Sequence, residues 1–157
     1  MKTMVVVSDV HYDRSTLRKI EQVMDEADYV VFCGDGFLSL ADYLVKYDKK
    51  LIAVKGNCDG VSLDTEITFE VEGVKVLVTH GDKYSVKTDL TRLFYRAKEV
   101  LADLVLFGHT HIAVVEKEED VTLVNPGSLS LPANFEKSYA YVVVNEKKIF
   151  AKIVKIG

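Results

Sequence analysis

Leu104-Val105-Leu106-Phe107-Gly108-His109-Thr110-His111 reads as an apolar strand that ends in a glycine and two histidines one residue apart. The chain has four histidines in 157 residues. The other two, His11 in Asp9-Val10-His11 and His80 in Thr79-His80-Gly81, also lie at or just past the end of an apolar run. The same junction recurs along the chain. Six apolar runs pass directly into polar motifs: MVVVSDVH from Met4, YVVFCGD from Tyr29, LIAVKGN from Leu51, VLVTHG from Val76, LVLFGHTH from Leu104 and TLVNPGS from Thr122. An open α/β sheet binds ligands in the crevice at the carboxyl ends of its strands. Such ends would gather Asp9, His11, Asp35, Asn57, His80, His109 and His111. Gly34, Gly56, Gly81 and Gly108 stand beside them and would let the backbone turn sharply there.

Between the junctions the periodicity alternates between strand and helix. Met4–Ser8 is a β-branched run of the kind buried on both faces. Arg14 to Ala27 carries Leu17, Ile20, Val23, Met24 and Ala27 at helical spacing, with Asp13 placed to cap it. Tyr29–Cys33 is a second strand, Leu38–Tyr47 a short helix and Leu51–Val54 a third strand. This β-α-β-α-β run predicts a parallel sheet with helices on its faces. Glu66–Glu72 and Val74–Thr79 form an alternating hairpin. Thr88 would cap a helix reaching Leu101, with Leu90, Leu93, Phe94, Ala97, Val100 and Leu101 inward. Leu104–Phe107 is the next strand. Ile112–Val115 and Val121–Val124 flank an acidic loop, Glu116–Asp120. Ser138–Val144 and Lys148–Ile156 close the chain as a hairpin. The expected fold class is α/β, and 1–157 reads as a single domain.

Composition narrows the function classes. Hydrophobic residues at 48% and charged residues at 28% are ordinary for a globular protein. No apolar run approaches the roughly 18 residues that span a bilayer, and the N-terminal run is too short for a secretory leader, so the expected location is cytoplasmic. Cys33 and Cys58 form neither a disulfide framework nor a CxxC zinc pair. A net charge of −4 speaks against stable nucleic-acid binding, yet bound metal ions would reverse the local field for a phosphate-bearing substrate.

Four imidazoles, two carboxylates and one amide exceed the needs of one ion, since a tetrahedral zinc site takes about four ligands. Two octahedral ions sharing one carboxylate would use them all. Mixed imidazole and carboxylate ligands suit manganese, iron, nickel, cobalt or zinc better than magnesium or calcium, with manganese first in expectation. Two ions about 3.5–4 Å apart are suited to in-line displacement at phosphorus.

The ordered set D-x-H at Asp9, GD at Asp35, GN-x-D at Asn57, HG at His80 and GHTH at His109 resembles the calcineurin-like metallophosphoesterase superfamily, and within it the small cap-less YfcE-type phosphodiesterases. The resemblance covers the chain from Asp9 to Ser128. It implies a four-layer α-β-β-α sandwich with two mixed sheets. It implies that Asp9, His11, Asp35 and His111 hold one metal ion, and that Asp35 as a bridge, Asn57, His80 and His109 hold the second. It implies hydrolysis of a small phosphodiester by in-line attack of a hydroxide shared between the ions. Asp35, Asn57, His109 and Cys58 are then the catalytic candidates. A homodimer or homotetramer would accord with the relatives. No membrane partner is expected.

Two positions depart from the wider superfamily. Cys58 stands where many members have a histidine that serves the leaving group, and a thiol with pKa near 8.5 is a poorer acid than imidazole. Leu131-Pro132-Ala133 stands where relatives often place a basic residue, which speaks against a phosphate-contacting arginine there. Several residues carry a plainer alternative. Asp9 and Asp35 read as ligands that also cap helices, and Asn57 as a ligand or a left-handed turn residue. Cys33 reads as a small buried hydrophobe. Asp59 reads as a loop brace rather than a ligand, and Asp82 as a turn residue rather than a partner of His80. Asn125–Ser128 reads as rim, Phe94 as core and Tyr95 as surface or interface. The rival functions are a non-catalytic metal-binding scaffold of the same fold, a phosphomonoesterase and a nuclease.

Overall fold

The computed structural model describes residues 1–11, 13–60, 62–130 and 136–157, and of residues 38–40 the backbone alone. In chain order its elements are β1 (Lys2–Val7), α1 (Arg14–Lys19), α2 (Glu21–Glu26), β2 (Tyr29–Phe32), α3 (Phe37–Leu44), β3 (Leu51–Ala53), β4 (Glu66–Val71), β5 (Val74–Thr79), α4 (Thr91–Glu99), β6 (Leu104–Leu106), β7 (Val114–Glu118), β8 (Val121–Asn125), β9 (Ser138–Asn145) and β10 (Lys148–Lys155). They build two five-stranded sheets, β10-β9-β1-β2-β3 and β4-β5-β6-β8-β7. The six strands that run into polar motifs are the parallel strands of these sheets. β1, β2 and β3 are parallel neighbours in the first, and β5, β6 and β8 in the second. Antiparallel strands flank both sets.

Strand period explains why these runs are apolar throughout. Met4 and Val6 face the second sheet, and Val5 and Val7 face the helices. Between the sheets Met4, Val6, Val31, Cys33 and Val54 pack with Val76, Val78, Leu104, Leu106 and Val124, all fully buried. Leu17, Ile20 and Met24 cover the outer face of the first sheet, and Leu93 and Ala97 that of the second. The layers are therefore α-β-β-α, not one sheet with helices on both faces. Cys33 lies in the central layer as a small hydrophobe, and burial pushes its thiol pKa up. No helix among the described residues is long and apolar enough to cross a membrane.

The local departures have local causes. The helix expected over 14–27 breaks at Ile20 (φ −108°, ψ 12°), where neither proline nor glycine announces it. Leu17, Ile20, Met24 and Ala27 stay buried across the break, so packing on the sheet is kept. Thr88 is not a cap: α4 starts at Thr91, whose N–H donates to Asp89 Oδ1 (3.0 Å). The acidic loop contracts to a turn at Glu119-Asp120, because Glu116–Glu118 continue β7 at the sheet edge, where exposed charge is tolerated. Asp9 and Asp35 cap no helix. Asp13 caps α1 as expected, accepting the Thr16 N–H at 3.0 Å.

Leu101 does not face inward. It follows the α4 C-terminus at φ +61° and is 77% exposed. That left-handed position suits glycine. Leu101→Gly is expected to raise stability by about 0.5–1 kcal/mol in denaturant titration, because the leucine is strained and packs on little.

Candidate metal centre

The carboxyl ends of the two parallel sets meet, and hydrogen bonds cross from one sheet to the other. His80 Nδ1, just past β5, lies 2.7 Å from the Cys33 carbonyl oxygen at the end of β2. The His109 N–H, past β6, donates to Asp9 Oδ2 (3.0 Å), past β1. Two triads of ligand-type atoms result, Asp9 with His11 and His111, and Asp35 with His80 and His109, each within 4.8 Å among themselves.

The donor chemistry asks for cations. A carbonyl only accepts, so His80 carries its proton on Nδ1 and its Nε2 lone pair points into the centre. There it meets Asn57 Oδ1 at 3.0 Å, His109 Nδ1 at 3.2 Å, Asp35 Oδ2 at 3.3 Å and Asp9 Oδ1 at 3.9 Å. Such a convergence of acceptor atoms is stable only around a proton or a metal ion. Burial disfavours charge on His80, but the carboxylates of Asp35 and Asp9 outweigh it and raise its pKa. Burial foremost, then His80 and Lys87, lowers the pKa of His109 and leaves its ring neutral. Burial alone would raise Asp35, yet His80 and the Cys58 N–H bring it down to about 2. Asp9 is fully buried; its Oδ1 makes no hydrogen bond and faces His111 Nε2 at 3.2 Å. A buried carboxylate oxygen without a donor is costly, and a divalent ion there would remove the cost. The residues present fit a dinuclear metal site.

The backbone is bent to make this arrangement. Asp9, His11, Asp35, His109 and His111 all have positive φ, between 52° and 73°. A non-glycine residue there costs about 1–3 kcal/mol and persists only where its surroundings enforce it. The enforcement is visible. Asp9 N donates to Gly34 O (2.9 Å), and Val10 N and His11 N donate to Asp35 O (3.0 and 3.1 Å). Asn57 lies in a turn but is not left-handed, and its amide oxygen faces His80. Gly34 and Gly81 have φ +105° and +101°, as the sharp-turn reading expects. Gly56 and Gly108 differ. A Cβ would lie 2.0 Å from Asp35 Oδ1 at Gly56 and 2.0 Å from Ser8 Oγ at Gly108. They are glycines because the ligand loops press against them.

Two braces exceed what the sequence reading gave them. Asp59 Oδ2 accepts from Asp35 N and Gly56 N, each at 2.8 Å. Its Oδ1 accepts from Gly36 N (2.8 Å) and Phe37 N (3.1 Å). It braces its own loop, as read, and also ties that loop to the one carrying Asp35. Asn125 Nδ2 donates to Gly108 O (3.1 Å) and Thr110 Oγ1 (3.0 Å), while Ser128 and Ser130 hydroxyls donate to Asp9 O (2.7 and 3.0 Å). The NPGS segment thus holds two ligand loops from below, and its signal was present as the sixth strand junction. Cys58 is exposed; its N–H donates to Asp35 Oδ1 (2.8 Å), and burial and Asp35 raise its thiol pKa. Asp82 opens a 3-10 turn, as read. Phe94 is half-buried against the outer core and Tyr95 is exposed. The reading of Leu131-Pro132-Ala133 falls outside the described residues.

Residues 1–148 match the family model described as the calcineurin-like phosphoesterase superfamily domain. The chain is 34% identical over 148 residues to a probable metallophosphoesterase of Bacillus subtilis, covering 89% of this chain and 83% of that one. It is 31% identical over 143 residues to a phosphodiesterase of Methanocaldococcus jannaschii, covering 78% and 81%. The crystal structure of a predicted phosphoesterase from Streptococcus pneumoniae superposes with a TM-score of 0.84 at 26% identity, covering 98% of this chain and 89% of that one.

Proposed function

The chain belongs to the calcineurin-like phosphoesterase superfamily, and on that premise we propose that it is a dinuclear metal-dependent phosphodiesterase acting on small phosphodiesters. The observation that carries the reading is the set of acceptor atoms turned on one another around His80 Nε2 and Asp9 Oδ1. Asp9, His11 and His111 would hold one ion, Asn57, His80 and His109 the other, and Asp35 both. Manganese suits the mixed imidazole and carboxylate ligands. Two such ions, when bound, polarise a phosphoryl oxygen and lower the pKa of water towards about 7.

The chain's own residues do the rest. The Cys33 carbonyl fixes the His80 tautomer, so that Nε2 is the liganding atom. Burial and His80 lower the pKa of His109, which favours the neutral ring a metal ligand needs. The Cys58 N–H orients Asp35. The raised Cys58 thiol keeps its proton at neutral pH and lies beside Asn57, where it is placed to donate to a departing oxygen. A thiol is a weak acid for this purpose, so esters with good leaving groups should be favoured. The phosphodiesterase name of the M. jannaschii relative supports the diester over the monoester.

Chelation is expected to reduce hydrolysis of bis-(p-nitrophenyl) phosphate to background, and added manganese to restore it. p-Nitrophenyl phosphate should turn over more slowly. Diester activity that survives chelation would overturn the mechanism. Two ions bound per chain with neither ester cleaved would leave a metal-binding scaffold of this fold.

A further inference from the structure

An apolar groove of about 410 Å³ opens beside the candidate centre. Val86, Leu90, Phe107, Ile112 and Val114 line it, with Thr110 and Lys87 at its polar margin. Its volume falls within the roughly 300–1,000 Å³ of small-molecule sites.

Two features join the groove to the ligand loops. Thr110 lies between His109 and His111, and its Oγ1 accepts the Ile112 N–H (3.1 Å) and the Asn125 amide (3.0 Å). The wall bearing Ile112 is therefore held by the brace that holds the GHTH loop. On the floor, a Cβ on Gly81, the residue after His80, would lie 3.2 Å from Val86 and 3.6 Å from Phe107. The floor thus abuts the loop that carries His80. Ile112 itself is 52% exposed, so it presents apolar surface to the groove instead of completing the core. Lys87 has no ion-pair partner among the described residues and stands at the margin of the groove.

We propose that this groove receives the retained apolar substituent, of aryl size, of a phosphodiester whose other ester bond is cleaved at the metal centre, with Lys87 facing the phosphate charge. The inference rests on the phosphodiesterase reading and adds a substrate class to it: diesters with at least one flat apolar group. Continuity with the centre and the unpaired lysine favour an anionic small molecule over a protein segment.

The test uses manganese-loaded protein and two diesters with one leaving group, phenyl p-nitrophenyl phosphate and methyl p-nitrophenyl phosphate. Filling an apolar site changes selectivity about 10–200-fold, so kcat/KM for phenyl over methyl should exceed the ratio for alkaline hydrolysis in solution by about tenfold or more. The gain should lie mainly in KM. Ile112→Asn should lower the ratio by about fivefold or more, as loss of about 1 kcal/mol of apolar contact would. Phe150→Ser, on an exposed residue of β10 far along the chain from the groove, should leave it unchanged. A ratio equal to that in solution, or one insensitive to Ile112→Asn, overturns the inference while leaving the phosphodiesterase reading intact. A dimer in solution that Ile112→Asn dissociates assigns the groove to a second copy and also overturns it. Failure to cleave either ester removes the phosphodiesterase reading and the inference together.

Discussion

Asp35→Asn is expected to abolish diester hydrolysis and to prevent the binding of two manganese ions, with little change in the metal-free fold. Asparagine is isosteric, and its Oδ1 can still accept the Cys58 N–H that Asp35 accepts at 2.8 Å. The other oxygen, 3.3 Å from His80 Nε2, becomes an NH2. It would donate to the imidazole lone pair and satisfy the centre without a cation. The lost charge was present at all neutral pH values, since the Asp35 pKa lies at about 2. Stability contributed by that depressed pKa is full above the ordinary carboxylate range and is lost only as pH falls towards 2. At neutral pH the substitution removes it outright, against the relief of one buried charge. The metal-free melting temperature is expected to move by no more than about 4 °C, the effect of about 1 kcal/mol in a chain of this size. Residues that merely support metal ligands cost about 10–100-fold in affinity or activity when changed, so a shared ligand should cost more than a hundredfold. Manganese should raise the melting temperature of the unaltered protein and not of the variant, as linkage requires. A variant that keeps two ions by equilibrium dialysis, or more than a tenth of its activity, would show that Asp35 is not shared between them.

How much of this was readable in the chain depends on the range over which the physics acts. β1, β2, β5 and β6 were legible because both faces of each strand are buried, which makes the whole run apolar and leaves the polar motif in sharp contrast. The seven ligand-type residues were legible for the same reason. What periodicity alone misplaced was the partner of each face: nothing in VVV says that one face meets a helix and the other a second sheet. The resemblance carried that point. The Ile20 break and the Leu101 position were hidden because tertiary packing and an unmarked left-handed residue decide them. Gly56 and Gly108 announced a tight place but not its kind. The bracing role of Asn125 and Ser128 depends on contacts 15 to 119 residues apart, which no local window reports.

Asp59→Asn is expected to destabilise the protein by about 2–4 kcal/mol and to weaken manganese binding without removing a ligand. Four backbone N–H groups converge on this carboxylate, two on each oxygen. Asparagine keeps one acceptor and turns an NH2 towards the remaining two donors. Bonds to a charged group are worth about 1.5–3 kcal/mol, and each donor left unsatisfied costs about 1–3 kcal/mol; partial exposure of Asp59 brings the sum down to the stated range. The corresponding fall in melting temperature is about 5–15 °C, against the roughly 0.5 kcal/mol of an ordinary surface substitution. Phe37 begins α3, whose capping residue Gly36 offers no side-chain bond, so Asp59 is also the group that closes that helix end. The functional consequence follows from Asp35. Its φ of +67° is held in part by the bond from its own N–H to Asp59, and relaxation of that peptide would swing the carboxylate away from His80. Manganese affinity should therefore drop about tenfold or more, as it does when groups behind metal ligands are altered. Excess manganese should recover most of the kcat, because every ligand is still present. If saturating metal restores nothing while the melting temperature is unchanged, Asp59 acts on the substrate itself and not through Asp35. If neither stability nor affinity moves, the four-bond brace does not form in solution.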